Sequence, residues 1–483
     1  MHRLLSVFLL SGLASALSFA QTPTSSFSNF GEASSFGQQL YERSGATGMV
    51  MVAVHGNQVF IEGFGQTAPG SGRRPDAHSV VRLCSLTKIF TSDVLAKLSL
   101  DKTVRLDDPL QKYAPAGVIV PSRKQPITLL NLATHTAGLY REVGYPPDGT
   151  PHFTYPDYNL RWQWLPKQHL RSTPGTFAAY SNVGFDLLSD ALSAAAHKPY
   201  ANLLHERTLA PLRMWDTTFY PSPTQCERLM TGTRDQSPCT VTANTEGSSG
   251  LYSTPTDMAR WLKYLVAAPG TPAQPREAQA AYLMPGQYLR QTGLNYAGDP
   301  SALGLGWIHL LTPEDPSHLV EKDGGGAGYL TYIAIHPSSH AAVFVAMTIG
   351  RNGYHANLFK NTNSALLQMV GAPPIPEKDG RAGKRLTRTK AGRQRGLQAS
   401  RAAAAPQPKA GRLRQKAAKA QAEPAGKQSA RKPQTGKQKT GKQLSSKQHT
   451  QARQKAAAPK ARTGAAQKQK PQQKPRTKAK RKH

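Results

Sequence analysis

The sequence predicts an α/β protein of the α+β kind, with one sheet assembled from both ends of the folded region and a helical lobe inserted between them. Three observations lead there. Strand-like apolar runs cluster near residues 49–61 and again at 304–349. Between them roughly 200 residues are dominated by helical pattern, and beyond about residue 376 the composition changes altogether. Strands at both ends with helices between them bury their apolar faces most simply as one sheet with helices packed beside it. Clefts between two such lobes are the usual place for a site.

After a Ser-rich lead-in, residues 36–44 predict a short amphipathic helix. Met49-Val50-Met51-Val52-Ala53-Val54 reads as a buried strand, His55-Gly56-Asn57-Gln58 as its turn and Val59-Phe60-Ile61 as its return, which makes a hairpin. Helical pattern covers 86–100, 128–135, 183–196, 200–209 and 255–266. Residues 304–310, 329–335 and 341–349 read as further strands, the last two joined through His336-Pro337-Ser338-Ser339, and 356–370 as a closing helix.

Charge divides the chain more sharply than any turn signal. Of the 61 Lys and Arg and 28 acidic residues, 32 basic and one acidic (Glu423) fall in 381–483, a net of +31, against +2 for residues 1–380. The near-neutral body has no reason to bind polyanions, and no specific nucleic-acid partner is expected. The segment 376–483, built from Lys, Arg, Gln, Ala, Gly and Pro without an aromatic residue, cannot bury enough apolar area to offset its chain entropy and is expected to be disordered. Its expected partners are anionic envelope surfaces, held by salt-sensitive attraction.

Residues 1–20 read as a signal peptide: Arg3 starts it, residues 4–17 are largely apolar, and Ser18-Phe19-Ala20 offers small residues for cleavage before Gln21. The apolar run is shorter than the roughly 20 residues that span a bilayer, and no later segment resembles a transmembrane helix. The body is therefore expected to occupy 21–375. The three cysteines fit an oxidising compartment with one pair and one spare. Cys226 and Cys239 flank a segment with turn signals, and their bridge is expected, adding about 3 kcal/mol. Cys84 is expected to pack as a small apolar side chain.

Ser85-Leu86-Thr87-Lys88 opens an apolar helix, and positions three apart lie roughly 5–6 Å from each other at Cβ, so the Lys88 amine can reach the Ser85 hydroxyl. An adjacent amine can take the proton that makes a hydroxyl a poor nucleophile, and a helix N-terminus favours a developing oxyanion. Tyr180-Ser181-Asn182 precedes another helix, offering a phenol for acid–base work and an amide for a substrate carbonyl, although taken alone a buried Tyr beside a helix-capping Ser181 or Asn182 is the better reading. Lys322-Asp323-Gly324-Gly325-Gly326 is placed where a strand ending at Lys322 would present a cation to a substrate carboxylate. Gly324 and Gly325 would let a substrate backbone lie along it, with the Gly325 N–H joining that of Ser85 as an oxyanion hole; a plain hairpin turn is the competing reading.

Taken in order, Ser-x-x-Lys at the first helix of the lobe, Tyr-x-Asn within it and Lys-x-Gly on a strand after it form the arrangement of penicillin-recognising serine enzymes. The chain resembles the class C β-lactamase-like group of that family, and within it the D-alanyl-D-alanine carboxypeptidase/endopeptidases. The resemblance rests on Val81-Arg82-Leu83-Cys84-Ser85-Leu86-Thr87-Lys88, Asn131-Leu132-Ala133-Thr134-His135-Thr136-Ala137-Gly138-Leu139, Ala179-Tyr180-Ser181-Asn182 and Gly250-Leu251-Tyr252-Ser253-Thr254-Pro255, and on the residues around Cys226 and Cys239.

It implies a β-lactamase/DD-peptidase-like fold with a five-stranded antiparallel sheet, catalytic Ser85, Lys88 and Tyr180, and substrate binding by Asn182 and Lys322. The implied ligands are peptidoglycan peptides and β-lactams, and the implied location is the periplasm. Asp323 departs from the usual Thr or Ser and Cys84 from the usual Ala or Gly. A β-lactamase, a carboxylesterase of the same fold and a non-enzymatic scaffold remain as alternatives. No Cys/His cluster has metal spacing, His135 reads as a packed histidine, and no cofactor is expected.

Overall fold

The computed structural model describes residues 30–267, 276–350 and 357–376. The expected signal peptide at 1–20 and, from residue 377 on, the expected tail lie outside the described residues.

Five strands of eight residues each form the body of the sheet: β1 (Gly48–His55), β2 (Gln58–Gly65), β5 (Leu319–Gly326), β6 (Tyr329–His336) and β7 (Ala341–Thr348). Two short strands, β3 (Ala302–Leu303) and β4 (Ile308–Leu310), extend it beyond β5. The order is β2-β1-β7-β6-β5-β4-β3, antiparallel throughout, so seven strands stand where the resemblance implied five. Pairing β1 with β7 joins the two ends of the folded region, Met49 lying opposite Met347.

The central strands are apolar almost without interruption because both faces of the sheet are covered. On β1, Met49, Met51 and Ala53 pack into one core while Val50, Val52 and Val54 pack into the other. Alternate residues of a strand point to opposite faces, and a strand buried on both sides cannot show polar alternation. Helices α1 (Phe30–Ser44) and α5 (Leu358–Met369) lie on the first face, and α4 (Pro255–Leu265) lies on the second, beside the helical lobe.

Within the lobe, α2 (Thr87–Leu100) is buried on nearly every side, and α3 (Asn182–Ala196) packs against it. A helix enclosed all round can place polar side chains deep inside only if they find partners. Asp93, for example, accepts from Tyr264 and Thr208, each at 2.7 Å, and pairs with Lys97.

Three expectations change in detail. Lys322 lies in the middle of β5 and does not end it. The strand expected at 304–310 shrinks to β4, because Gly306 adopts φ +71° in a tight approach to α2, where an added Cβ would lie 2.8 Å from Ser92 Oγ. The helix expected at 200–209 runs as α-helix only to Leu204 and continues as a π-turn to Leu209.

Candidate active site

The site is built where α2 begins against β5. The two-residue strand Val81–Arg82 pairs with Tyr252–Ser253, and the chain then turns sharply through Cys84, whose φ of +52° is uncommon for a side chain with a Cβ. A short 3-10 turn over Cys84–Leu86 carries Ser85 and runs directly into α2. Cys84 is fully buried, its Sγ 3.4 Å from the Gly326 carbonyl, and burial pushes its thiol up to about 12. It is therefore a packed, unreactive thiol, as expected.

Glycine at 324 is what lets β5 approach this turn. A Cβ there would press into Thr331 Oγ1 and lie 3.0 Å from both the Ser85 nitrogen and the Leu83 carbonyl. Thr331 ties the two elements together by donating to that same carbonyl at 3.0 Å. Gly325 follows on the exposed side of the strand.

Lys88 lies one turn beyond Ser85 and is wholly buried. Its Nζ donates to Asn182 Oδ1 at 2.6 Å and to the Ser248 carbonyl at 2.8 Å, and it stands 4.8 Å from the centre of the Tyr180 ring. Burial lowers its pKa, and the charge of Lys322 adds to that, while Tyr180 and Asp186 oppose it.

Tyr180 is delivered by the strand Ala178–Ala179, which pairs with Gln291–Thr292, and its ring rests on His135 at 4.6 Å. Lys88, Arg141 at 4.8 Å and Lys322 at 5.3 Å surround it. Burial alone would raise the phenol, but these three charges outweigh it and bring its pKa below the ordinary value. Asn182 opens α3 behind the Ser181 cap, whose Oγ accepts from the Gly184 N–H at 3.0 Å. With Oδ1 taken by Lys88, its Nδ2 donates to Glu142 at 2.5 Å.

Lys322, also wholly buried, donates to the Asp323 carbonyl at 2.7 Å and to its carboxylate at 3.0 Å. Burial works against its charge, but Asp323, Tyr180 and Glu321 more than compensate and raise its pKa. All the site residues expected from sequence thus fall at one junction between sheet and lobe. Arg141, Glu142, Asp186 and Ser248 are additional members. Arg141 and Glu142 directly follow the Thr-Ala-Gly-Leu-Tyr segment, but nothing in their own spacing marks them.

The expected disulfide is present, with Cys226 and Cys239 at a Cα separation of 5.7 Å. Its loop reaches the site through Arg82, which donates to the carbonyls of Ser237 and Pro238 at 2.8 Å each and to the Tyr252 hydroxyl at 2.7 Å.

A sheet closed from both chain ends, with a serine at the turn into a buried helix of the inserted lobe, is the fold of serine hydrolases of the β-lactamase/DD-peptidase type. The family profile described as Beta-lactamase matches residues 34–367, and the chain belongs to that family. It is 41% identical over 346 residues to the D-alanyl-D-alanine-carboxypeptidase/endopeptidase AmpH of Escherichia coli K12, covering 70% of this chain and 89% of that protein. A crystal structure of a β-lactamase/D-alanine carboxypeptidase from Yersinia pestis, complexed with citrate, is 43% identical and superposes with a TM-score of 0.66 over 68% of this chain and 95% of that one. The class C β-lactamase of Rhodobacter sphaeroides, 19% identical with a TM-score of 0.55, covers 70% of this chain and 99% of its own and shares the fold.

Proposed function

We propose that the chain is a serine D-alanyl-D-alanine carboxypeptidase/endopeptidase that acts on peptidoglycan peptides through an acyl-enzyme at Ser85 and binds β-lactams at the same residue. The observation that carries this reading is the Lys322 ammonium, buried beside Tyr180 with its charge favoured, where it serves a substrate that ends in a carboxylate. Tyr180, in the phenolate form that its three cations favour, takes the Ser85 proton as Oγ attacks the D-alanyl carbonyl, and as the phenol returns it to the departing amine. Lys88 holds Asn182 and the phenol in register, Asn182 orients the substrate amide, and the N–H groups of Ser85 and Gly325 receive the oxyanion along the opening made by Gly324. Water then releases the acyl group. Mass spectrometry of the protein incubated with a labelled penicillin, and then with muropeptides, tests this: an adduct on Ser85 together with release of D-alanine is expected.

The ion pair of Lys322 with Asp323 supports a second reading, a carboxylesterase, since a lysine already answered by a carboxylate has less to offer a substrate. Rapid ester turnover with no D-alanine release would establish that reading in place of the first. A β-lactamase uses the same groups and differs in the rate of the last step. The leader at 1–20 supports a periplasmic location. No helix among the described residues is long and apolar enough to cross a membrane. The charge of the segment from 376 on supports attachment to anionic envelope surfaces.

A further inference from the structure

Strand β5 sets three positions along one line, and the acyl-transfer scheme uses only two of them. Alternate residues of a strand share a face, so Lys322, Gly324 and Gly326 all face the helical lobe, and Val320 on the same face belongs to the lobe-side core. Lys322 supplies the cation, and the turn that bears Ser85 lies against Gly324. Gly326 is covered by a different element: a Cβ there would lie 3.0 Å from Cζ and 3.3 Å from Cε1 of Phe153. The pairing of β5 with β4 ends at Glu321, so among the described residues Lys322 to Gly326 pair with β6 alone. The other edge of that stretch is open to an extended ligand.

Phe153 is held over Gly326 against its own backbone preference. Its φ of +66° is a genuine outlier for so bulky a residue, and such a conformation persists only where the neighbours fix it. They do so from two sides. Thr245 Oγ1 donates to the Phe153 carbonyl at 2.8 Å, Asn244 Nδ2 donates to the Thr154 carbonyl at 2.7 Å, and the His152 N–H donates to Ser237 Oγ at 3.0 Å. The ring packs against the lobe-side core yet remains only half-buried. Cys84, the neighbour of Ser85, reaches the Gly326 carbonyl with its Sγ at 3.4 Å, so the ring and the nucleophile turn meet on the same short piece of β5.

We propose that Phe153 is a specificity-determining residue, an aromatic platform for the acyl half of the substrate. With the substrate carboxylate at Lys322 and the scissile carbonyl at Ser85, the acyl chain runs on past Gly325 to Gly326. The step from Gly324 to Gly326 is about 7 Å, the reach of roughly two extended residues. The ring therefore meets the residue that precedes the D-alanyl group under attack. It favours a side chain with an apolar stem, whose methylenes lie on the ring, over glycine.

The proposal rests on the acyl-enzyme reading, and its test separates the two. Full-length wild type, Phe153→Ala and Phe153→Tyr are compared for the rate of Ser85 acylation by benzylpenicillin and by 6-aminopenicillanic acid, which has the same reacting ring but no acyl side chain. In Phe153→Ala the preference for benzylpenicillin should fall roughly tenfold, the low end of what an apolar contact in a pocket is worth. The rate with 6-aminopenicillanic acid should stay unchanged, which shows that the site remains folded, and Phe153→Tyr should keep the preference. Tripeptides that carry norleucine or glycine before a D-alanyl-D-alanine end should show the same pattern in D-alanine release. An unchanged preference in Phe153→Ala overturns the proposal and leaves the acyl-enzyme reading intact. An equal fall with both penicillins also overturns it, since the ring would then only brace the turn at Ser85. Penicillins that follow the pattern while no peptide releases D-alanine uphold the platform and remove the peptidase reading. If neither penicillin labels Ser85, the acyl-enzyme reading fails and the platform falls with it.

Discussion

Three cations from three separate elements surround the Tyr180 ring and lower its phenol, and this sets what single substitutions should do. Ser85→Ala should abolish penicillin labelling and D-alanine release together, since both need one acyl-enzyme. Lys88→Ala and Tyr180→Phe should cut acylation by a factor of about 10²–10⁴, the usual worth of a placed acid–base group, with far-UV circular dichroism unchanged. Lys322→Ala should separate substrates: peptides and penicillins should lose more than p-nitrophenyl acetate, by about 1.5–3 kcal/mol for a charge-assisted contact. Asp323→Ser, by releasing Lys322 from its 3.0 Å ion pair, should move the same ratio the other way. If Lys322→Ala lowers peptide and ester rates equally, the lysine does not read a carboxylate. Ser85, Lys88, Tyr180, Asn182 and Lys322 were legible because each sits in a short motif tied to the start of a helix or to a strand. Glu142, Ser248 and Asp186 were not. Lys88 meets Ser248 across 160 positions and Asn182 meets Glu142 across 40, and no local pattern encodes contacts made only by folding.

At the scale of elements, the hairpin and the three late strands were readable because their apolar runs are long and bounded by turns. The break between β3 and β4 was not, since it depends on how closely Gly306 approaches α2. Nor did sequence show that the disulfide loop braces the nucleophile turn through Arg82. That brace predicts a functional cost as well as a stability cost. Replacing Cys226 and Cys239 by Ala should destabilise the fold by about 2–5 kcal/mol, and Ser85 acylation should slow even at temperatures where the variant remains folded. Unchanged acylation in the folded variant would show that the loop carries stability alone. The contact between α3 and the loop before Gly247 makes a prediction of its own. Burial raises Asp186 to about 7 and Glu246 to about 8, so the folded state holds these protons more tightly than the unfolded chain does. Their contribution is therefore complete below about pH 4 and is lost as pH rises through 7 and 8. Thermal unfolding across pH should show that decline, and Asp186→Asn should flatten it.

For the whole molecule, the unusual feature is that nearly all the net charge is separated from the catalytic body. Residues 381–483 carry +31 and residues 1–380 carry +2. The described body closes before that charge begins: Pro373 accepts from Ser317 Oγ at 2.6 Å, and Ala372 and Ile375 pack against the core beside α5. A cut after Pro376 therefore leaves this seam whole, whereas a cut at Gly371 would remove it. Basic residues near an anionic surface contribute about 1 kcal/mol each and lose it beyond a Debye length, about 10 Å at 0.1 M salt. Only a few need engage at once for firm retention. Full-length protein and a form ending at Pro376 should hydrolyse a soluble muropeptide at the same rate. On anionic vesicles or isolated cell-wall sacculi at low salt, the full-length protein should sediment and the short form should stay in solution, and raising the salt to 1 M should release the first. Equal sedimentation of both forms would place the attachment in the body, and salt-resistant sedimentation of the full-length form alone would replace the electrostatic account with a specific partner.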